Sequence, residues 1–241
     1  MIPRKLVLLL ASLMLAVTTA VAQTVQTTAT VARVTGTATV TLADGSTQPL
    51  TAGMKLPQGA TITTGADGDV FIESHAGYVT SIKADSVVTL DEVSVVTENG
   101  QVTEERTMLD LKSGNLVAKL DPKKKAINNY QVRTPKGVAA ARGTLFTMSF
   151  RGQTFQIAVV DGQVAINPVQ SFGYLRIAEI NRITTATAGS FLTDGGTGAI
   201  APGIAGQREA SARELLAAAV ATVALAAQNG IGGTTAAEAA A

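Results

Sequence analysis

The chain has 241 residues, 19 basic against 18 acidic, a formal charge of +1 and no cysteine. That length suits one domain with a full core plus a tail, and near-neutrality with 4% aromatics leaves no basic stripe for nucleic acid. Without cysteine, disulfide staples, thiol chemistry and thiolate metal sites are all excluded.

The first 22 residues have the pattern of a signal peptide. Arg4 and Lys5 make a positive n-region, Leu6 to Val17 an apolar h-region, and Ala20-Val21-Ala22 a small-x-small cleavage signature. Cleavage is expected before Gln23, which leaves 17 basic against 18 acidic residues. The rival reading is an uncleaved inner-membrane anchor, although the apolar run is short for a spanning helix. After cleavage no run is long enough to span, so the processed chain is expected in the periplasm or outside the cell.

Residues 29–185 are predicted to form one all-β domain. They are rich in Val, Thr and Ile, with Gly or Asp-Gly punctuation at short intervals. Ala38, Val40 and Leu42 alternate with threonines, and Asp44-Gly45 turns the chain. Thr61 to Thr64 is a short strand, and another begins at Val70 and Ile72 and breaks at Gly77. Val88 and Leu90 alternate ahead of a Glu98-Asn99-Gly100 turn. Leu109 and Leu111 precede a predicted turn at Ser113-Gly114, and Leu116, Ala118 and Leu120 follow it. The run Lys123-Lys124-Lys125 is expected to be a solvated loop tip. Phe146, Met148 and Phe150 share one strand face, and Phe155, Ile157 and Val159 another, with Arg151-Gly152-Gln153 turning between them. Val164 and Ile166 follow a predicted Asp161-Gly162 turn, and Leu175 to Thr185 adds a further candidate strand.

Beyond the domain the composition shifts. Residues 186–206 suggest a flexible linker rich in Gly, Ala and Thr, and 207–229 one helix, with Ser211 and Glu214 as a capping box and Asn229-Gly230 as its stop. Docking of this helix on the protein's own surface is the expectation. Residues 230–241 are low in complexity and expected to be disordered.

The inventory for catalysis is thin. His75 is the lone histidine, which rules out a His-rich metal site or a His-paired acid–base site within one chain. Asp67-Gly68-Asp69 lacks the rest of a calcium loop, and Thr193 to Gly198 lacks the lysine of a phosphate-binding loop. No nucleophile elbow surrounds any serine. No enzyme activity, cofactor or metal is therefore expected. Arg142, between the small run Val138 to Ala141 and Gly143, stands out. It is read as tying strands through loop carbonyls, with contact to a partner carboxylate as the functional alternative.

An ordered set of motifs resembles the FecR domain from about Val31 to Asn167. Val34 to Val40 matches its opening strand, Gly53, Leu56, Gly59, Ile62, Thr64 and Gly65 the glycine-spaced stretch that follows, Asp69 to Glu73 the next strand, and Leu111, Gly114 and Leu116 a later "L-x-x-G-x-L". Val132, Thr134 and Pro135 match "V-x-T-P"; Arg142, Gly143, Thr144 and Phe146 match "R-G-T-x-F"; Val159, Gly162, Val164 and Ile166 close the set. Of these, Thr134, Pro135, Arg142, Gly143, Thr144, Phe146 and Gly162 are assigned structural roles. The family's "D-G-S" turn is altered here to His75-Ala76-Gly77.

The resemblance implies an extracytoplasmic β-module. FecR-like regulators sense an outer-membrane transporter and signal through a membrane helix to a sigma factor. Only five residues precede the h-region, so no cytoplasmic anti-sigma segment is expected. The expected architecture is a β-roll or solenoid, with a jelly-roll sandwich as the alternative. The expected function is binding or scaffolding, by loops or an edge strand, of an envelope protein or glycan. A signalling subunit linked to transporter-dependent sigma regulation is the alternative, and an enzyme of unrecognised type the second.

Overall fold

The computed structural model describes residues 22–168, 184–187, 191–193 and 201–202. The predicted signal peptide (apart from Ala22), the helix at 207–229 and the tail lie outside the described residues. Within them the protein is all-β, and its one helical element is a 3-10 turn at Pro122–Lys124.

The strands fall into two layers. In chain order the first ten are β1 (Gln23–Gln26), β2 (Ala29–Thr35), β3 (Ala38–Thr41), β4 (Thr47–Pro49), β5 (Lys55–Leu56), β6 (Thr61–Thr64), β7 (Asp69–His75), β8 (Tyr78–Ile82), β9 (Val87–Glu98) and β10 (Gln101–Leu120). There follow β11 (Asn128–Thr134), β12 (Gly137–Ala141), β13 (Leu145–Arg151), β14 (Thr154–Asp161), β15 (Gln163–Pro168), β16 (Thr184–Thr187), β17 (Phe191–Thr193) and β18 (Ala201–Pro202). One layer runs β4-β3-β6-β9-β10-β11-β12-β15-β16, with β1 on the far part of β9. The other runs β5-β2-β7-β8-β10-β13-β14-β17-β18.

Strand β10 belongs to both layers. Its residues 101–113 pair in the first layer with β9, and 114–120 pair in the second with β8 and β13. The predicted turn at Ser113-Gly114 is thus a bend inside one 20-residue strand. Gly114 supplies it with φ +99°, a conformation that side chains strain against. Its Cα also lies against Ser86, so a Cβ would collide there.

The layers are joined along both edges. At one edge the chain crosses through Gly36, Gly65 to Gly68, Lys83 to Ser86 and Gly114. At the other it crosses through residues 121–127, Arg142 to Thr144 and Gly162. The result is a curled, largely antiparallel sheet folded on itself. Among the described residues one full coil is completed, from the first half of β10 around to β11, and it makes a parallel pair. The remaining described neighbours are antiparallel, so the described residues do not form the stacked parallel coils of a solenoid.

Alternation places the core between the layers. Val40, Ile62, Val88, Leu109, Leu111, Tyr130, Val132, Val164 and Ile166 meet Ile72, Ile82, Leu116, Phe146, Met148, Phe155 and Ile157 there. The Tyr130 and Phe146 rings pack edge to face, 6.2 Å between centroids. The Tyr130 hydroxyl shares a 2.6 Å hydrogen bond with Thr80, which satisfies a polar group in that core.

Three local expectations are corrected. Asp161-Gly162 is a crossing between layers and not a hairpin turn: β14 pairs with β13 and β17, and β15 with β12 and β16. Lys124 is no solvated tip: its ammonium lies 2.9 Å from Glu105 and over the Tyr78 ring. Part of the expected linker is paired, with β17 against β14 and β18 against β17.

Candidate functional site

Three chain crossings converge where the outer face of the first layer meets its second edge. Residues 121–127 carry the chain from β10 to β11, Arg142 to Thr144 from β12 to β13, and Gly162 from β14 to β15. Gly143 makes the convergence possible. Its φ is +59°, and a Cβ there would lie 2.6 Å from the Pro122 Cα and 2.7 Å from the Lys125 Cγ. The bare backbone therefore seats the Lys125 stem directly beside Arg142. Thr144 is buried, and its hydroxyl donates to the Gln163 carbonyl at 2.9 Å, clamping one crossing to the next.

The convergence walls a cleft of about 880 Å³. Its floor is small because Ala140 and Ala165 stand opposite each other on β12 and β15. Gln131 and Asn129 project from β11 beside them, at the outward alternate positions. Lys125, Arg142 and Gln163 complete the rim, and all three are exposed. A shallow depression lined by Glu92, Arg106, Met108, Asn129 and Gln131 continues across the same face.

A hydrogen-bonded chain of side chains orders this face. Arg106 holds Glu104 through Nε at 2.8 Å, and its second nitrogen lies 2.6 Å from the same oxygen. Asn129 donates to the other Glu104 oxygen at 2.5 Å, and Gln131 donates to Asn129 at 2.9 Å. The Arg106 hydrogen bond, then that of Asn129, holds the Glu104 carboxyl below its ordinary range, with Arg142 adding its field. Glu104 is thereby committed to partners on its own sheet. Among the described residues neither Lys125 nor Arg142 has a carboxylate at ion-pair distance.

A second polar group lies at the same edge, inside the roll. Tyr78 and Asn128 are both buried, and among the described residues the Tyr78 hydroxyl and both polar side-chain atoms of Asn128 have no hydrogen-bond partner. Burial first, then nearby Glu105, pushes the Tyr78 hydroxyl far up, so it stays protonated. His75 Nε2 lies 2.9 Å from the Arg106 carbonyl oxygen, and its ring meets Tyr78 edge to face. Among the described residues no group of His, Asp or Glu side chains could hold a metal. Asp67 accepts from the Thr37 amide, and Asp69 is paired with Lys83.

The residues singled out from sequence separate spatially. Thr134 and Pro135 sit at the opposite edge, where Thr134 accepts from the Lys136 amide and donates to the Gly137 carbonyl, closing the β11–β12 hairpin. Phe146 is in the core. Arg142 and Gly162 border the cleft, with Gly143 and Thr144 following Arg142 in the chain. The carbonyl bonds expected of Arg142 are not among those the described residues form. Its side chain is exposed, one position beyond core-facing Ala141 and three beyond core-facing Ala139. Sequence reasoning missed Asn129, Gln131 and Gln163. Their signal was alternation: each flanks a buried residue at Tyr130, Val132 or Val164.

Residues 60–165 match the family model described as "FecR protein". No curated protein matches the chain. Two crystal structures, at 2.50 and 1.65 Å, of a candidate anti-sigma factor from Parabacteroides distasonis ATCC 8503 are similar. Each is 13% identical with a TM-score of 0.44, covering 59% of this chain and 58% of that chain. The protein therefore spans less than two thirds of the length of these structures. The matched residues run from the start of β6 into β15, and over this stretch the chain is similar to the FecR domain.

Proposed function

We propose that this chain is a non-catalytic binding module of a regulatory system outside the cytoplasm, and that a protein partner engages it over the cleft. The observation that carries this reading is the coincidence of family and site: among the described residues, those lining the cleft, from Lys125 to Ala165, fall inside the FecR match. The site offers cations, amides and a small apolar floor, the chemistry of recognition.

Site-specific photo-crosslinking at Ala140, in cells of the source organism, tests the reading. The expected result is one recurrent protein adduct that is absent when the crosslinker stands on the opposite edge, at Lys136. Deletion of the chain should also alter transcription of a small gene set. Adducts of equal pattern at both positions, with unchanged transcription, would reject it. The N-terminus of the exported form should be Gln23 by mass spectrometry; recovery of an intact Met1 form would reject processing.

A further inference from the structure

We infer that the cleft takes an acidic peptide in extended conformation, its carboxylates held between Lys125 and Arg142. This deepens the proposed function and rests on it. Both cations line one end of the cleft, both are exposed, and neither has a carboxylate partner among the described residues. They are also placed: the Lys125 stem lies against Gly143, whose missing side chain is what admits it beside Arg142. Glu104, which feels the field of Arg142, is itself hydrogen-bonded by Arg106 and Asn129.

The rest of the cleft fits a peptide backbone. Asn129 and Gln131 stand on the same face of β11, about 7 Å apart, which is the two-residue repeat of any extended chain. Gln131 is oriented by its hydrogen bond to Asn129, so its carbonyl oxygen can accept from a ligand amide. Ala140 and Ala165 leave the depth for alternate side chains of such a segment. Guanidinium and ammonium at one end then select for acidic residues at one end of the ligand.

The test uses the full chain and three fluorescent probes: an alternating Glu-Thr peptide, its Gln-Thr counterpart, and an oligouronate of similar length. Anisotropy should show binding of the Glu-Thr peptide, about tenfold weaker for the Gln-Thr peptide and weakened by salt. R142A and K125A should each weaken the Glu-Thr peptide by about tenfold, with unchanged melting temperature. Equal binding of the two peptides, or no loss in the variants, overturns the inference. Binding of the oligouronate alone overturns the peptide assignment. Crosslinking at Ala140 that still captures a protein would then leave the proposed function standing while this inference fails.

Discussion

At the level of single residues, Arg142 and Gly143 are neighbours with opposite tasks. Arg142 points outward and holds no bond within the described sheet, so Arg142→Ala should change stability by less than about 0.5 kcal/mol. Gly143→Ala forces a side chain into φ +59° and against the Pro122 backbone, and should cost about 2 kcal/mol or more. Thermal melts of the two variants check this; equal losses would contradict it. Glu104 adds a pH dependence. Its folded carboxyl is held below the ordinary value of 4.5, so its contribution is present above pH 4.5 and is lost as pH falls through the lowered value. Melting temperatures from about pH 6 down to about pH 3 should fall less steeply for Glu104→Gln than for the native chain. Parallel curves would show that its hydrogen bonds do not matter to folding.

At the level of elements, the crossings decide the architecture. Thr144 joins two of them, and its hydroxyl serves the carbonyls of both Gln163 and Arg142. Thr144→Val keeps the shape and removes two part-buried hydrogen bonds, at a cost of about 1 kcal/mol. Chemical denaturation should give that loss with an unchanged m value. Most strands were legible in the sequence, because alternation such as that of buried Val40 and Ile62 with threonines records burial on one face. Crossings were not legible as crossings. Gly114, Gly143 and Gly162 carry the same positive φ as the turn glycine Gly100, yet Gly100 reverses the chain within a hairpin and the others swing it between layers. Which happens depends on the partners of the next strand, far away in sequence. Lys124 shows the same limit: it sits in a lysine run, and its partner Glu105 is 19 residues upstream.

At the level of the whole molecule, one core holds the two layers together. Phe146 reaches across it to Tyr130, so Phe146→Ala should cost about 3–5 kcal/mol, whereas Val102→Ala on the protruding β9–β10 hairpin should cost little. Comparable losses at the two positions, measured by equilibrium unfolding, would mean the hairpin belongs to the core. The sequence by itself determined the fold class, the buried face of nearly every central strand and the ordered motifs of the FecR domain, since each depends on residues within a few positions of one another. The cleft was decided only by the tertiary structure. Its walls come from three crossings separated by up to 37 residues, Lys125 to Gly162, and its floor from alanines on strands that β13 and β14 part in the chain. Such contacts exist only after long-range pairing has brought the segments together, and short-range spacing carries no record of them.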